Sequence, residues 1–173
     1  MDIAKQVTEQ TDRLDILVNN SARGIMTYQL GENGLERHFS INHVAHVTLT
    51  SHLLPLLKKT AEKDTVRISI QSSNAHQGAP SDTKFESLDE INRDLGANGQ
   101  YGRSKLAVSP NRMLGQLTDI ESTPSEPPLC TVGDSFSLTI DTQSLKSRRW
   151  LTRNLTSKHP NIIVNATHPG FVS

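Results

Sequence analysis

The chain has 173 residues, enough for one domain with a hydrophobic core, and 34% of them are apolar. Its 18 basic and 18 acidic residues cancel, which argues against a nucleic acid or an anionic membrane surface as a partner. The single cysteine, Cys130, excludes an internal disulfide, and no apolar run reaches the roughly 18 residues of a membrane span. These features predict a cytoplasmic protein without a membrane span.

Apolar residues at helical spacing predict several helices. The first is a helix tail over residues 2–13, and the second is a long helical region over residues 34–62. We expect Pro55 to kink that region or to mark a joint between two helices. Further helices are predicted from Tyr101 onward and over residues 150–158.

Short β-rich runs predict three strands, over residues 14–18, 65–70 and 161–167. Residues 74–100 are polar and predict a loop with one short helix. The alternation of strands and helices indicates a parallel sheet with crossover helices. An α/β fold is therefore expected.

Polar or turn-forming residues follow all three predicted strands. They are Asn19 with Asn20, Ser72 with Ser73, and Pro169 with Gly170. The carboxyl ends of parallel strands meet at one edge of the sheet, and ligands bind beyond that edge. The three pairs therefore predict one ligand site.

Tyr101 and Lys105 are four residues apart, so they lie on the same face of the predicted helix. A free tyrosine titrates near pH 10, and a neighbouring ammonium favours its phenolate form and lowers its pKa. The pair can thus supply a general acid or base. The same spacing is also common on a solvated helix face, and the sequence alone leaves both interpretations open.

Histidines recur along the long helical region, and the pair His43 and His46 has a spacing that zinc ligands can use. No further ligand pattern accompanies the pair, so we predict no metal site.

Five segments in order resemble the short-chain dehydrogenase/reductase family. They are "DILVNNSA" at residues 15–22, "FSINHVAH" at 39–46, "VRISIQSSNAH" at 66–76, "YGRSK" at 101–105 and "NIIVNATHPGFV" at 161–172. The Ser-Ser-x-Ala-His and His-Pro-Gly patterns resemble the branch that contains retinol dehydrogenases and related fungal enzymes. The resemblance covers nearly all of residues 1–107 and 144–173.

The resemblance implies a role for each site residue. The catalytic residues would be Tyr101 as the general acid/base, Lys105 as the group that lowers its pKa, Ser73 as the group that orients the substrate carbonyl, and Asn42 as the holder of a relay water. Ser72 would be structural. The residues that bind the cofactor would be Asn20, Tyr101, Lys105 and Val172. The implied reaction is hydride transfer between NADP or NAD and a small alcohol or carbonyl substrate.

The chain also departs from the family pattern. The family's Asn-Asn-Ala-Gly is Asn-Asn-Ser-Ala here, and no glycine-rich turn lies between a predicted strand and helix to hold a pyrophosphate. We therefore expect a partial Rossmann-type, doubly wound parallel sheet that lacks its glycine-rich half, as one domain over residues 1–173. The alternative to an active oxidoreductase is a truncated, non-catalytic remnant that keeps the catalytic residues.

A partial sheet has consequences for burial. Without the layers that would cover one face, Ile16, Val18, Ile68 and Ile70 cannot all be buried by this chain. An uncovered apolar strand favours aggregation or pairing with a second copy, so a homo-oligomer is a candidate assembly.

Residues 108–143 differ in character from the rest of the chain. They contain four of the eight prolines, and they interrupt the helix that begins at Tyr101. Joining Ala107 directly to Ser144 restores one continuous helical pattern. We interpret residues 108–143 as an irregular insertion or a translated intron.

Overall fold

The computed structural model describes residues 3–108 and 159–167. Its helices are α1 (Ile3–Gln10), α2 (Arg37–Phe39), α3 (Ala45–Ala61), α4 (Leu88–Asn92) and α5 (Gly96–Ala107). Its strands are β1 (Ile16–Asn19), β2 (Val66–Gln71) and β3 (Ile162–Thr167). A π-helical turn (Ser40–Val44) joins α2 to α3, and a 3₁₀ turn (Asn74–Gly78) follows β2. The predicted helix over 150–158, the residue Val172 and the segment 108–143 apart from Val108 lie outside the described residues.

The three strands form one parallel sheet in the order β1-β2-β3. Leu17 of β1 pairs with Ile68 of β2, and Ile68 pairs with Val164 of β3. Each strand begins and ends within two residues of its predicted limits. The predicted α/β fold with a parallel sheet is confirmed.

Helices α1 and α3 cover one face of this sheet. The residues buried there form one hydrophobic cluster: Ala4, Leu17, Leu53, Leu57, Ala61, Val66, Ile68, Ile70, Val108 and Ile162. Val108 is the first residue of the segment interpreted as an insertion, and it is fully buried at the end of α5. The folded unit thus extends at least to this residue.

The other face of the sheet is open at β1. Ile16 and Val18 are 57% and 60% exposed, whereas Ile68 and Ile70 of β2 are fully buried. The expectation that these four residues cannot all be buried is confirmed. Burial alternates along β1, where Leu17 is buried between the exposed Ile16 and Val18, because successive side chains of a strand point to opposite faces of the sheet.

The long helical region is not divided at Pro55. Helix α3 continues through this residue, which lies on its exposed side, so the expectation of a joint between two helices there is wrong. Proline removes one N–H donor and crowds the carbonyl four residues earlier, but the buried leucines on either side hold the helix against the sheet. The departure from α-helical bonding occurs earlier, where the Ala45 N–H donates to the Ser40 carbonyl in the π-helical turn.

A second hydrophobic cluster places α5 beside the start of the long helical region. It contains Leu35, Phe39, Phe85, Ile91 and Ala107, and the rings of Phe39 and Phe85 stack with centres 5.6 Å apart.

Helix α5 begins at Gly96, earlier than the predicted start at Tyr101, and two short helical elements precede it where one was expected. In the two described ranges no helix is long and apolar enough to cross a lipid bilayer.

Candidate active site

Tyr101 and Lys105 lie on consecutive turns of α5, next to the carboxyl end of β2. The Nζ atom of Lys105 is 5.7 Å from the centre of the Tyr101 ring. Lys105 is only 2% exposed and Tyr101 is half-buried. A solvated helix face would leave the lysine in water, so its burial favours the interpretation that the pair forms a site.

Lys105 is held by the end of the neighbouring strand. Its Nζ donates a hydrogen bond of 2.9 Å to the backbone carbonyl of Gln71, the last residue of β2. Burial lowers the pKa of Lys105, because removal from water disfavours the ammonium form. An ammonium has three N–H donors, and within the described residues Gln71 accepts only one of them. The remaining donors are available to other groups at the site.

Ser73 begins the 3₁₀ turn that follows β2. Its Oγ accepts a hydrogen bond of 3.2 Å from the Ala75 N–H, as an N-cap residue does. The hydroxyl hydrogen has no acceptor among the described residues, so it can be donated to a substrate oxygen. Ser72 instead donates to the Lys105 carbonyl at 3.5 Å, which joins β2 to α5.

Gly102 allows this 3₁₀ turn to lie directly against α5. A Cβ atom at position 102 would be 2.6 Å from the carbonyl oxygen of Ala75 and 3.2 Å from the backbone nitrogen of Ala79. No larger residue fits without a backbone shift, so this glycine sets the distance between Tyr101 and Ser73. Gly102 was not among the predicted site residues, although a glycine between two candidate catalytic residues of a helix was a usable signal.

The side chain of Asn42 joins three segments of the chain. Its Oδ1 accepts from the Arg23 N–H at 2.6 Å, and its Nδ2 donates to the Arg23 carbonyl at 3.0 Å and to Ser104 Oγ at 2.9 Å. Ser104 in turn donates to the Tyr101 carbonyl at 2.8 Å. Both amide donors of Asn42 are therefore used within the protein, and they brace the loop after β1 against α5.

The two asparagines after β1 have different surroundings. Asn19 is buried and its Nδ2 donates to Thr50 Oγ1 at 3.0 Å, which anchors β1 to α3. Asn20 is exposed at the carboxyl end of β1, on the edge of the sheet that carries the site. Asn20 is thus accessible to a ligand, while Asn19 is structural.

His46 lies one turn after Asn42 and is 6% exposed. Burial and the nearby charge of Lys105 lower the pKa of His46, and backbone groups of Ser21 and Asn42 partly oppose that shift. From the sequence, His46 was a candidate only for a metal ligand. Across the described residues, no three His, Cys, Asp or Glu side chains come together as a metal site would require.

Comparison with known proteins identifies the family of the chain. Residues 1–86 match the family model described as short chain dehydrogenase. The chain belongs to the short-chain dehydrogenase/reductase family.

Two relatives indicate the branch that the chain resembles. A Neurospora crassa protein named "Putative oxidoreductase bli-4, mitochondrial" is 48% identical over 173 residues, which are 99% of this chain and 34% of that protein. Human retinol dehydrogenase 13 is 33% identical over 107 residues, which are 62% of this chain and 31% of that protein. The chain thus spans about a third of the length of these curated relatives.

A solved structure agrees on the fold. An uncharacterized protein from Mycobacterium paratuberculosis superimposes with a TM-score of 0.56 at 23% identity, over 97% of this chain and 46% of that chain. This likeness concerns the fold alone.

Proposed function

We propose that the protein is an NAD(P)-dependent oxidoreductase that interconverts a small alcohol and its carbonyl compound, with Tyr101 as general acid/base. The observation that carries the proposal is the buried ammonium of Lys105 one turn from the Tyr101 ring. Family membership supports the reaction class. The pair lies beside Ser73, whose hydroxyl can hydrogen-bond the reacting oxygen.

In the direction of carbonyl reduction, Tyr101 donates its phenolic proton to the substrate oxygen as the carbon is reduced. The charge of Lys105 stabilises the phenolate left behind, and Ser73 donates a hydrogen bond that polarises the carbonyl. In alcohol oxidation the same groups act in reverse, with the phenolate of Tyr101 as the base.

The residues at this edge of the sheet fit the ribose end of a nicotinamide nucleotide. Lys105 keeps N–H donors that no described residue accepts, which suits ribose hydroxyls, and Asn20 is exposed on the same edge. The cofactor would supply or accept the hydride. Tyr101 and Lys105 would hold the ribose near the reacting oxygen, and Val172 would contact the carboxamide. We propose NADP or NAD as the cofactor, and measuring the affinity of the protein for each nucleotide distinguishes between them.

The substrate class and the compartment belong to the same proposal. Retinol and retinaldehyde are the first compounds to test, because one relative is named a retinol dehydrogenase. We propose the cytoplasm as the compartment of this protein. The mitochondrion is the alternative, because the fungal relative is named a mitochondrial protein, and cell fractionation distinguishes the two.

The test uses the only two tyrosines of the chain. Turnover of retinol, retinaldehyde and short aldehydes is measured with both nucleotides for the wild type, Tyr101→Phe and Tyr28→Phe. The proposal predicts a loss of about 100-fold or more for Tyr101→Phe, because the proton donor is removed while the ring is kept. Tyr28→Phe should retain turnover. Equal rates in all three proteins would contradict the assignment, and no turnover in the wild type would favour the non-catalytic remnant.

A further inference from the structure

His76 ends the Ser-Ser-x-Ala-His segment, and the proposed reaction gives it no role. It lies in the 3₁₀ turn (Asn74–Gly78) that begins directly after Ser73, and its ring is half-buried. The Nδ1 atom of the ring lies 2.7 Å from the backbone carbonyl oxygen of Ser73. Among the described residues, His76 is the only member of this turn whose side chain is hydrogen-bonded. The ring is therefore a candidate support for Ser73.

The partner of Nδ1 defines where the ring of His76 carries its proton. A backbone carbonyl can only accept a hydrogen bond, so Nδ1 must be the donor. A neutral imidazole has a single N–H group, which leaves Nε2 without a proton. Nε2 has no partner within the described ranges, so no acceptor there draws the proton away from Nδ1.

Three hydrogen bonds from the turn converge on Ser73. The backbone N–H and the ring Nδ1–H of His76 both reach its carbonyl oxygen, at 3.1 and 2.7 Å, and the Ala75 N–H donates to its Oγ at 3.2 Å. The same turn lies against Gly102 of α5, the residue after Tyr101. The orientation of the Ser73 hydroxyl relative to Tyr101 thus depends on the shape of this turn, and the ring of His76 makes the shortest of the three bonds.

We propose that His76 is a positioning residue, whose Nδ1–H bond to the Ser73 carbonyl holds the Ser73 hydroxyl in the orientation that polarises the substrate carbonyl. This role rests on the proposed function of Ser73. The ring acts through Ser73 and needs no contact with the substrate. Its contribution is geometric, because a displaced hydroxyl forms a weaker hydrogen bond with the reacting oxygen.

The first test reads the tautomer of His76 directly. Long-range ¹H–¹⁵N spectra of the whole chain are recorded at about pH 8.5, above the ordinary titration range of histidine. The His76 signals are assigned by their loss in His76→Asn. The proposal predicts a neutral ring with its proton on Nδ1 and a bare Nε2. A bare Nδ1 with the proton on Nε2 would overturn it, because Nδ1 could then not donate to the Ser73 carbonyl.

The second test follows hydrogen exchange of the Ala75 N–H, which donates to Ser73 Oγ. His76→Leu removes the ring donor, whereas His76→Asn places an amide N–H near the position of Nδ1. Gln77→Leu is the control, because Gln77 is an exposed residue of the same turn. Exchange of the Ala75 N–H should be about tenfold faster or more in His76→Leu and close to the wild-type rate in the other two variants. Protection of the Ile68 N–H in β2 checks that each variant is folded, and equal Ala75 exchange in all four proteins would contradict the proposal.

The third test asks whether His76 acts through Ser73. In the turnover assay, kcat should fall by about tenfold in His76→Leu with little change in the KM for the nucleotide, and His76→Asn should recover most of the loss. In a Ser73→Ala background, His76→Leu should cause little further loss. A loss of the same size in that background would contradict action through Ser73.

The first two tests require neither a cofactor nor turnover. Failure of the wild type to bind a nucleotide or to turn over would therefore count against the proposed function. The wrong tautomer, or unchanged exchange of the Ala75 N–H, would count against the role of His76.

Discussion

The Nζ atom of Lys105 lies 2.9 Å from the carbonyl oxygen of Gln71, so the last turn of α5 is bonded to the last residue of β2. This contact partly offsets the removal of the ammonium from water. It also fixes Tyr101, one turn earlier on α5, relative to the end of the strand that leads into Ser73.

Replacement of Gly102 by alanine should destabilise the fold. Alanine normally stabilises a helix interior by up to about 1 kcal/mol relative to glycine, but here its Cβ would collide with the carbonyl of Ala75. We expect a net loss of about 1–3 kcal/mol in the free energy of unfolding, measured with urea. Gly78→Ala is the control, because a Cβ at that position meets no atom within 4 Å. Equal stability of the two variants would contradict the proposed tight contact.

Replacement of Asn42 by leucine should lower the free energy of unfolding more than the same replacement of an exposed asparagine. The change leaves the backbone N–H and carbonyl of Arg23 and the hydroxyl of Ser104 without their shared partner. We expect a loss of about 2–4 kcal/mol in the free energy of unfolding. Asn98→Leu, at an exposed position of α5, should change it by less than about 0.5 kcal/mol. A small effect at Asn42 would show that these bonds contribute little.

The stability of the chain should depend on the protonation of His46. The pKa of His46 in the folded chain is lower than the ordinary histidine value near 6.5. The unfolded chain therefore binds more protons at this residue once the pH falls towards 6.5. Stability therefore decreases as the pH falls below about 6.5, and it increases as the pH rises through that range. His46→Gln should flatten the dependence between about pH 7 and pH 5, whereas the exposed His52→Gln should not. An unchanged slope in His46→Gln would contradict a buried neutral ring.

The open face of β1 should control self-association. Threonine at positions 16 and 18 keeps strand propensity while removing exposed apolar surface. The double variant Ile16→Thr/Val18→Thr should be less associated in sedimentation experiments and should unfold at a similar urea concentration. Leu17→Thr, on the covered face, is the matched control and should instead destabilise the fold. Unchanged association in the double variant would exclude this face as the contact.

Local patterns in the sequence were sufficient for the three strands and for the proximity of Tyr101 and Lys105, because both depend on residues a few positions apart. The contacts that brace the site were not predictable in this way. Asn42 bonds to Ser104, 62 positions later, and Gly102 contacts Ala75 across two elements. The burial of His46 likewise follows from the packing of separate elements. The continuity of α3 through Pro55 shows tertiary packing overriding a local helix-breaking tendency.

The most direct test of the central claim, that Lys105 and Tyr101 form the site of a nicotinamide-dependent enzyme, is a fluorescence titration with NADPH and NADH. Wild-type chain, Lys105→Met and Lys59→Met are compared, since Lys59 is an exposed lysine of α3. We predict saturable binding of at least one nucleotide by the wild type and by Lys59→Met, and at least about tenfold weaker binding by Lys105→Met, which loses charge-assisted hydrogen bonds to the ribose. Equal affinity of Lys105→Met and the wild type, or no binding by the wild type, would contradict the claim.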